Sequence, residues 1–273
     1  MKTSALVWTA GVCTAAVWAV LHPGRYSAEQ RAMIEGVNHA HRGLHTRDRS
    51  VPENSLAAFR AAVLAGYGIE LDIQLSQDGE VVVFHDDTLD RVCGVHGRVD
   101  AYPLAELRAM RLCGGEETIP LLREVLDEVN GKVPLIVELK SGPRNSELCE
   151  KALAILRTYS GPYCIESFDP RIVGWFKRSA PDILRGQLAD AAASYKGQPK
   201  PLAFALSRVL MNVVARPQFI AYGPGRKPPS VRLTEAMGAL RIAWTVHPED
   251  DVEKKQAEND AVIFEFYRPA TKY

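Results

Sequence analysis

The chain has 273 residues, with 33 basic and 33 acidic side chains and a hydrophobic content of 47%. This balance excludes the broad basic footprint of a nucleic-acid binder, and the length and apolar share allow one large domain with a full core. Any attraction for an anionic ligand must be local.

No charged residue lies between Lys2 and Arg25, and residues 5–21 are almost wholly apolar, with Trp8 and Trp18 near the two ends. A bilayer-spanning helix takes about 20 such residues. Residues 1–24 therefore read as a single-pass N-terminal transmembrane anchor, with a cleaved signal peptide or a buried N-terminal helix as alternatives. The side of the membrane stays open, because Lys2 flanks one end of the run and Arg25 and Arg31 the other. Residues 25–36 form a polar juncture, and one catalytic-size domain fills 37–273. Cys13 lies in the apolar run, while Cys93, Cys113, Cys149 and Cys164 are scattered without C-x-x-C spacing and read as free thiols.

Residues 37–41 predict a short strand. Val51-Pro52-Glu53-Asn54-Ser55 opens a helix to about Gly66, with Leu56, Phe59, Ala62 and Val63 on one side. Residues 69–75 alternate as a strand, and Asp78-Gly79 predicts a two-residue hairpin into strand 81–85. If Gln77 faces Glu80, Asp72 falls directly across from His85, with Cβ atoms about 5 Å apart. Residues 93–118 read as an insertion with a short helix near 104–110, followed by a helix at 121–129. Strands at 135–140, 163–167, 184–188, 219–222, 241–246 and 261–266 then alternate with helices at about 146–158, 170–178, 201–214 and 248–257, a short helix preceding the strand at 241. Eight parallel strands separated by helices, with 81–85 as an antiparallel excursion from the second, predict a (β/α)₈ TIM barrel. In such a barrel the active site lies at the C-terminal ends of the strands, where His41, Asp72, Glu138 and Lys140 fall.

Glu70-Leu71-Asp72 places two carboxylates on one face of a strand, because side chains alternate with period two. Two oxygen ligands on one face suit one hard divalent cation, Mg²⁺ or Ca²⁺. His41, Arg42 and His85 close the same span and supply groups for moving protons and holding an anion.

The ordered segments A-H-R-G (40–43), P-E-N-S-L-A-A-F (52–59), G-I-E-L-D-I-Q-L-S-Q-D-G (68–79), V-V-F-H-D-D-T-L-D-R (82–91), I-P-L-L-R-E-V-L (119–126), V-E-L-K (137–140), S-F-D-P (167–170) and W-T-V (244–246) resemble the glycerophosphodiester phosphodiesterase family over roughly residues 37–269. The resemblance implies a metal-dependent barrel that hydrolyses glycerophosphodiesters to sn-glycerol 3-phosphate and an alcohol. By position it implies His41 and His85 as catalytic histidines and Glu70, Asp72 and Glu138 as metal ligands. Arg42 and Lys140 match phosphate contacts, and Phe168 and Trp244 look like walls of the glycerol pocket. The chain departs from the family pattern at Ser55 and Ser76, where Thr is usual. It departs again at His247, where Asn is usual, and at Phe264-Glu265-Phe266-Tyr267, where the family often reads I-T-D.

The expected chemistry is attack of the glycerol 2-hydroxyl on phosphorus with His41 as base and His85 as acid, or with the two roles exchanged. A lysophospholipase D acting on membrane lysolipids, and a non-catalytic head-group-binding barrel, are the other readings. Glu53 reads equally as a first-turn helix carboxylate or as a ligand contact. His39 reads as structural, His22, His45 and His96 as solvated, and the 201–214 helix as barrel packing.

Overall fold

The structure, a computed structural model, describes residues 17–271. The expected membrane anchor lies for the most part outside the described residues, as does Cys13. No described helix is long and apolar enough to cross a membrane.

The strands are β1 (Asn38–Ala40), β2 (Gly68–Leu75), β3 (Val81–Val83), β4 (Leu135–Leu139), β5 (Tyr163–Ser167), β6 (Arg185–Ala189), β7 (Phe219–Tyr222), β8 (Leu240–Val246) and β9 (Ala261–Phe264). All except β3 run parallel in the order β1-β9-β8-β7-β6-β5-β4-β2, and β1 also pairs with β2, which closes the barrel. Helices connect most neighbours, as a parallel sheet requires.

Strand periodicity divides the side chains between two layers. Ile69, Leu71 and Ile73 of β2, with Leu135, Val137 and Leu139 of β4, pack outward against the helices. Ile136, Cys164, Leu184, Phe219, Leu240, Ile242 and Ala261 fill the barrel interior. Glu70, Asp72, Glu138 and Glu166 take the alternate positions on β2, β4 and β5, so the same alternation turns them inward. They are buried, and the register sets Asp72 beside Glu138 and Glu138 beside Glu166.

Gly186 on β6 makes room for this interior: a Cβ there would stand 1.9 Å from the Phe219 ring, which is itself fully buried. Gly186→Ala is expected to lower stability by about 1–3 kcal/mol through overpacking. A denaturant midpoint equal to that of the parent would show that Phe219 can move aside.

The hairpin register differs by one residue from the expected one. Ile73 faces Val83 and Leu75 faces Val81. Ser76 and Glu80 close the turn, with Ser76 N–H donating to the Glu80 carbonyl and Glu80 N–H to the Ser76 hydroxyl. Gln77, Asp78 and Gly79 thus form a three-residue loop in which Gly79 supplies the left-handed φ of 83°. Asp72 stands opposite Phe84, whose N–H donates to its carbonyl, not opposite His85. The slip does not remove His85 from the site, because β3 ends at Val83. Beyond it, Gln74 Nε2 donates to the carbonyls of Phe84 and Asp86 and directs the chain away from the ladder. The following insertion carries its own small core, including Phe84, Leu89, Val92, Val99, Leu107 and Ile119.

The expected helix over 201–214 is two helices, Lys200–Ser207 and Asn212–Ala215, separated by Val209 at φ 49°. That turn buries Val209 against Ala189, Ile220, Tyr222 and Val231, a gain that outweighs helical continuity.

The described N-terminal residues are tied beneath the barrel floor, at the chain leading into β7. The Arg216 guanidinium donates to the carbonyls of Ala19 and His22, Asn212 and Thr234 donate to that of Leu21, and Gly24 N–H donates to that of Pro217. Leu21 is buried there, while Val17 and Trp18 are exposed.

Candidate active site

A cavity of about 340 Å³ opens at the C-terminal ends of the strands and is lined by His41, Arg42, Glu70, His85, Glu138, Glu166, Phe168, Asp190, Tyr195 and Trp244, among others. Glu70, Asp72 and Glu138 each present an oxygen within 4.8 Å of the others. Burial, then Asp72 and Glu138, pushes the Glu70 carboxyl well above its usual range. Burial also raises Glu138, against the pull of Lys140. Asp72 goes the other way: burial alone would raise it, but Lys140, His85 and Arg42 outweigh that and hold it well below the usual range. Three buried acids at this spacing repel one another unless a cation or protons intervene, so the donor set fits one hard divalent cation.

Two neighbours orient the triad. Asn54, buried and at φ 53°, donates through Nδ2 to Asp72 Oδ2 at 2.9 Å. Arg42 sits at φ 55°, a conformation that costs roughly 1–3 kcal/mol for a non-glycine residue. It turns the Arg42 N–H onto Glu70 Oε2 at 2.9 Å.

Both basic side chains touch the triad, but only Arg42 also lines this cavity, while Lys140 lines a smaller neighbouring pocket. Lys140 Nζ stands 2.9 Å from Glu138 and 3.3 Å from Asp72, and these two carboxylates hold its pKa above the usual lysine range against the effect of burial. Arg42 Nε lies 3.5 Å from Asp72, and its Nη1 pairs with Glu53 at 2.7 Å. Glu53 precedes the helix Leu56–Ala65 and is therefore not a first-turn helix carboxylate; it bridges Arg42 and Arg91.

Each imidazole is tied back by a carboxylate. His41 Nδ1 meets Glu265 Oε1 at 2.9 Å, and His85 Nδ1 meets Asp86 Oδ1 at 2.6 Å. An ionised carboxylate only accepts, so Nδ1 carries the hydrogen in both rings and Nε2 is left without one in the neutral form. His41 Nε2 lies 3.9 Å from Glu70. Burial, reinforced by Arg42, lowers the His41 pKa to about 4, so this ring is uncharged at neutral pH.

Arg91, from the insertion, donates to Asp86 through Nε at 2.6 Å as well as to Glu53. A chain of ion pairs thus runs from His85 through Asp86, Arg91 and Glu53 to Arg42.

Neither Glu265 nor Asp86 follows from sequence periodicity as a partner of these histidines. Glu265 did leave a signal: it lies in the stretch that departs from the family pattern. His45, expected to be solvated, is largely buried and also reaches Glu265 Oε1, at 3.0 Å. His247 Nδ1 lies 3.6 Å from the other Glu265 oxygen. His96 is exposed, as expected. His39 is buried in the barrel, where a Cβ on Gly68 would meet its ring at 2.5 Å. Cys93, Cys113, Cys149 and Cys164 are free thiols.

Opposite the triad, Phe168 and Trp244 meet edge to face with ring centroids 5.4 Å apart, and Tyr195 adds a third ring 6.2 Å from Phe168. The cavity therefore has a charged end and an aromatic end.

The glycerophosphoryl diester phosphodiesterase family model matches residues 41–268. The chain is 31% identical over 238 residues to a glycerophosphodiester phosphodiesterase of Caldanaerobacter subterraneus subsp. tengcongensis, covering 82% of this chain and 91% of the relative. Among solved structures it is similar to an Oleispira antarctica phosphodiesterase in complex with the product sn-glycerol-3-phosphate, with a TM-score of 0.69 and 25% identity over 86% of this chain and 94% of that one. It is also similar to a Thermotoga maritima glycerophosphodiester phosphodiesterase, with a TM-score of 0.63 and 25% identity over 84% of this chain and 93% of that one. The chain belongs to the glycerophosphoryl diester phosphodiesterase family and is a phosphoric diester hydrolase.

Proposed function

We propose that this protein hydrolyses glycerophosphodiesters to sn-glycerol 3-phosphate and an alcohol, with one divalent cation, Mg²⁺ or Ca²⁺, held by Glu70, Asp72 and Glu138. The observation that carries the reading is the pair of imidazoles on one cavity with the acidic triad, each with Nδ1 tied to a carboxylate. The cation supplies Lewis-acid stabilisation of charge on the non-bridging phosphate oxygens.

His41 Nε2 takes the proton of the glycerol 2-hydroxyl as that oxygen bonds to phosphorus. The bond from phosphorus to the alcohol oxygen breaks, and protonated His85 gives its proton to the departing alcohol, leaving a cyclic glycerol phosphate. His85, now neutral, deprotonates a water that attacks phosphorus. His41 returns its proton to the 2-oxygen as the ring opens. Asp86 and Glu265 hold the rings and offset the imidazolium charge at each stage. Arg42 and Lys140 add positive charge beside the phosphate, and Phe168 and Trp244 wall the glycerol.

The pH profile follows from the lowered His41 pKa. Below about 4 the ring is protonated and the base is lost; between 4 and 6.5 it stays neutral where an ordinary histidine would be charged. The acid limb of kcat/KM assigned to the base is expected near pH 4. A limb near 6.5 that moves to lower pH in Glu265→Gln would show His41 titrating as an ordinary imidazole and would contradict this profile.

The apolar stretch ahead of residue 19 is proposed as a membrane anchor, with residues 19–24 held by the barrel. The attachment of residues 19–24 to the barrel floor, away from the catalytic mouth, favours a water-soluble diester over a lipid still embedded in the bilayer. The test is to incubate the protein with Mg²⁺ or Ca²⁺, glycerophosphocholine and lysophosphatidylcholine, and identify the products. Glycerol 3-phosphate supports this reading. Lysophosphatidic or cyclic phosphatidic acid as the main product would favour a lysophospholipase D, and no product would favour a binding module.

A further inference from the structure

Glu166 stands out among the cavity residues because no role in the chemistry above falls to it. It is 1% exposed, and its Oε2 has no hydrogen-bond partner among the described residues. Leaving such a group unpaired is costly, so an acceptor that faces a cavity is a ready site for a donor on a bound molecule. Glu166 is not among the three residues whose oxygens cluster within 4.8 Å for a cation. It lies in register with Glu138 on β4 and two residues before Phe168, so it occupies the wall between the acidic triad and the aromatic end.

A substituent on phosphorus that runs from the triad toward Phe168 and Trp244 must pass Glu166. On the proposed reading that substituent is the glyceryl group, whose 2-hydroxyl faces His41 and whose terminal hydroxyl needs an acceptor. We propose that Glu166 is a substrate-positioning residue that accepts a hydrogen bond from the terminal hydroxyl of the glyceryl group and so selects glyceryl over deoxy diesters. This inference rests on the hydrolase reading above. The energetic logic is that a site built to bind a hydroxyl discriminates strongly against an analogue that lacks it.

The test compares two choline diesters, one of glycerol and one of propane-1,2-diol, which keeps the attacking 2-hydroxyl and lacks only the terminal one. The wild type is expected to prefer the glyceryl diester in kcat/KM by roughly threefold to tenfold, the range for one ordinary hydrogen bond. Glu166→Ala should remove that preference, lowering kcat/KM on the glyceryl diester by more than on the propanediol diester, with cation affinity by calorimetry as the control. Glu166→Gln, which keeps the size and an amide acceptor, should retain most of the preference. Equal loss on both diesters, weakened cation binding, or an unchanged preference in Glu166→Ala would overturn the inference while leaving the hydrolase reading intact. If the wild type cleaves neither diester, the hydrolase reading fails and the inference with it.

Discussion

Replacing His41 by Ala is expected to lower kcat by roughly 10²–10⁴, the usual contribution of one positioned acid or base, and His85→Ala should cost a similar factor. The reason is specific to how the rings are held. Glu265 and Asp86 fix Nδ1 of each ring and leave Nε2 for proton transfer, so neither histidine is among the groups that would hold the cation. Cation affinity measured by calorimetry should therefore stay near the wild-type value in both variants. A variant that keeps near-normal turnover would remove its histidine from the mechanism. A variant that loses the cation along with activity would instead make that histidine a ligand.

Glu70→Gln should separate stability from activity in opposite directions. In chelated protein, Glu70 is buried beside Asp72 and Glu138, and their repulsion already pushes its carboxyl upward. Removing the charge relieves that repulsion, so the chelated variant should melt at or above the chelated wild type. Added cation should reverse the order. Saturating the wild type at a hundred times Kd stabilises it by about 2.7 kcal/mol, or roughly 5–10 °C for a domain of this size. Glu70→Gln should show little of that shift and should lose more than roughly hundredfold in activity, beyond what loss of an outer hydrogen-bond partner costs. A wild-type melting curve insensitive to both Mg²⁺ and Ca²⁺ would mean that the triad holds no cation.

The barrel was legible in the sequence because its strands carry strong periodic signals. Residues 69–75 alternate so regularly that the shared face of Glu70 and Asp72 follows from period two alone, whereas Leu135-Ile136-Val137 shows no alternation and Glu138 was legible only through the V-E-L-K segment of the family resemblance. Phenomena governed by tertiary choice were less legible. The Asp78-Gly79 pair suits a two-residue turn, but Ser76 caps a three-residue loop and shifts the register by one. The apolar pattern of 201–214 gives no warning that Val209 breaks the helix to reach a buried cluster. The orienting partners were hardest to read. Asp86 is adjacent to His85 in sequence, yet Glu265 reaches His41 from the opposite end of the chain, brought there by barrel closure between β1 and β9. His45 looked solvated because a lone histidine in a polar loop gives no sign of a buried carboxylate waiting nearby.

In the proposed mechanism two imidazoles act on opposite sides of one phosphorus, with His41 as base and His85 as acid in the first step. The most direct measurement uses a glyceryl p-nitrophenyl phosphodiester, whose leaving group departs without protonation. In a single turnover, before the cyclic phosphate must be opened, His85→Ala should release p-nitrophenol at close to the wild-type rate, while His41→Ala stays impaired by roughly 10²–10⁴. Equal impairment of both variants on this substrate, or rescue of His41→Ala in place of His85→Ala, would contradict the assignment.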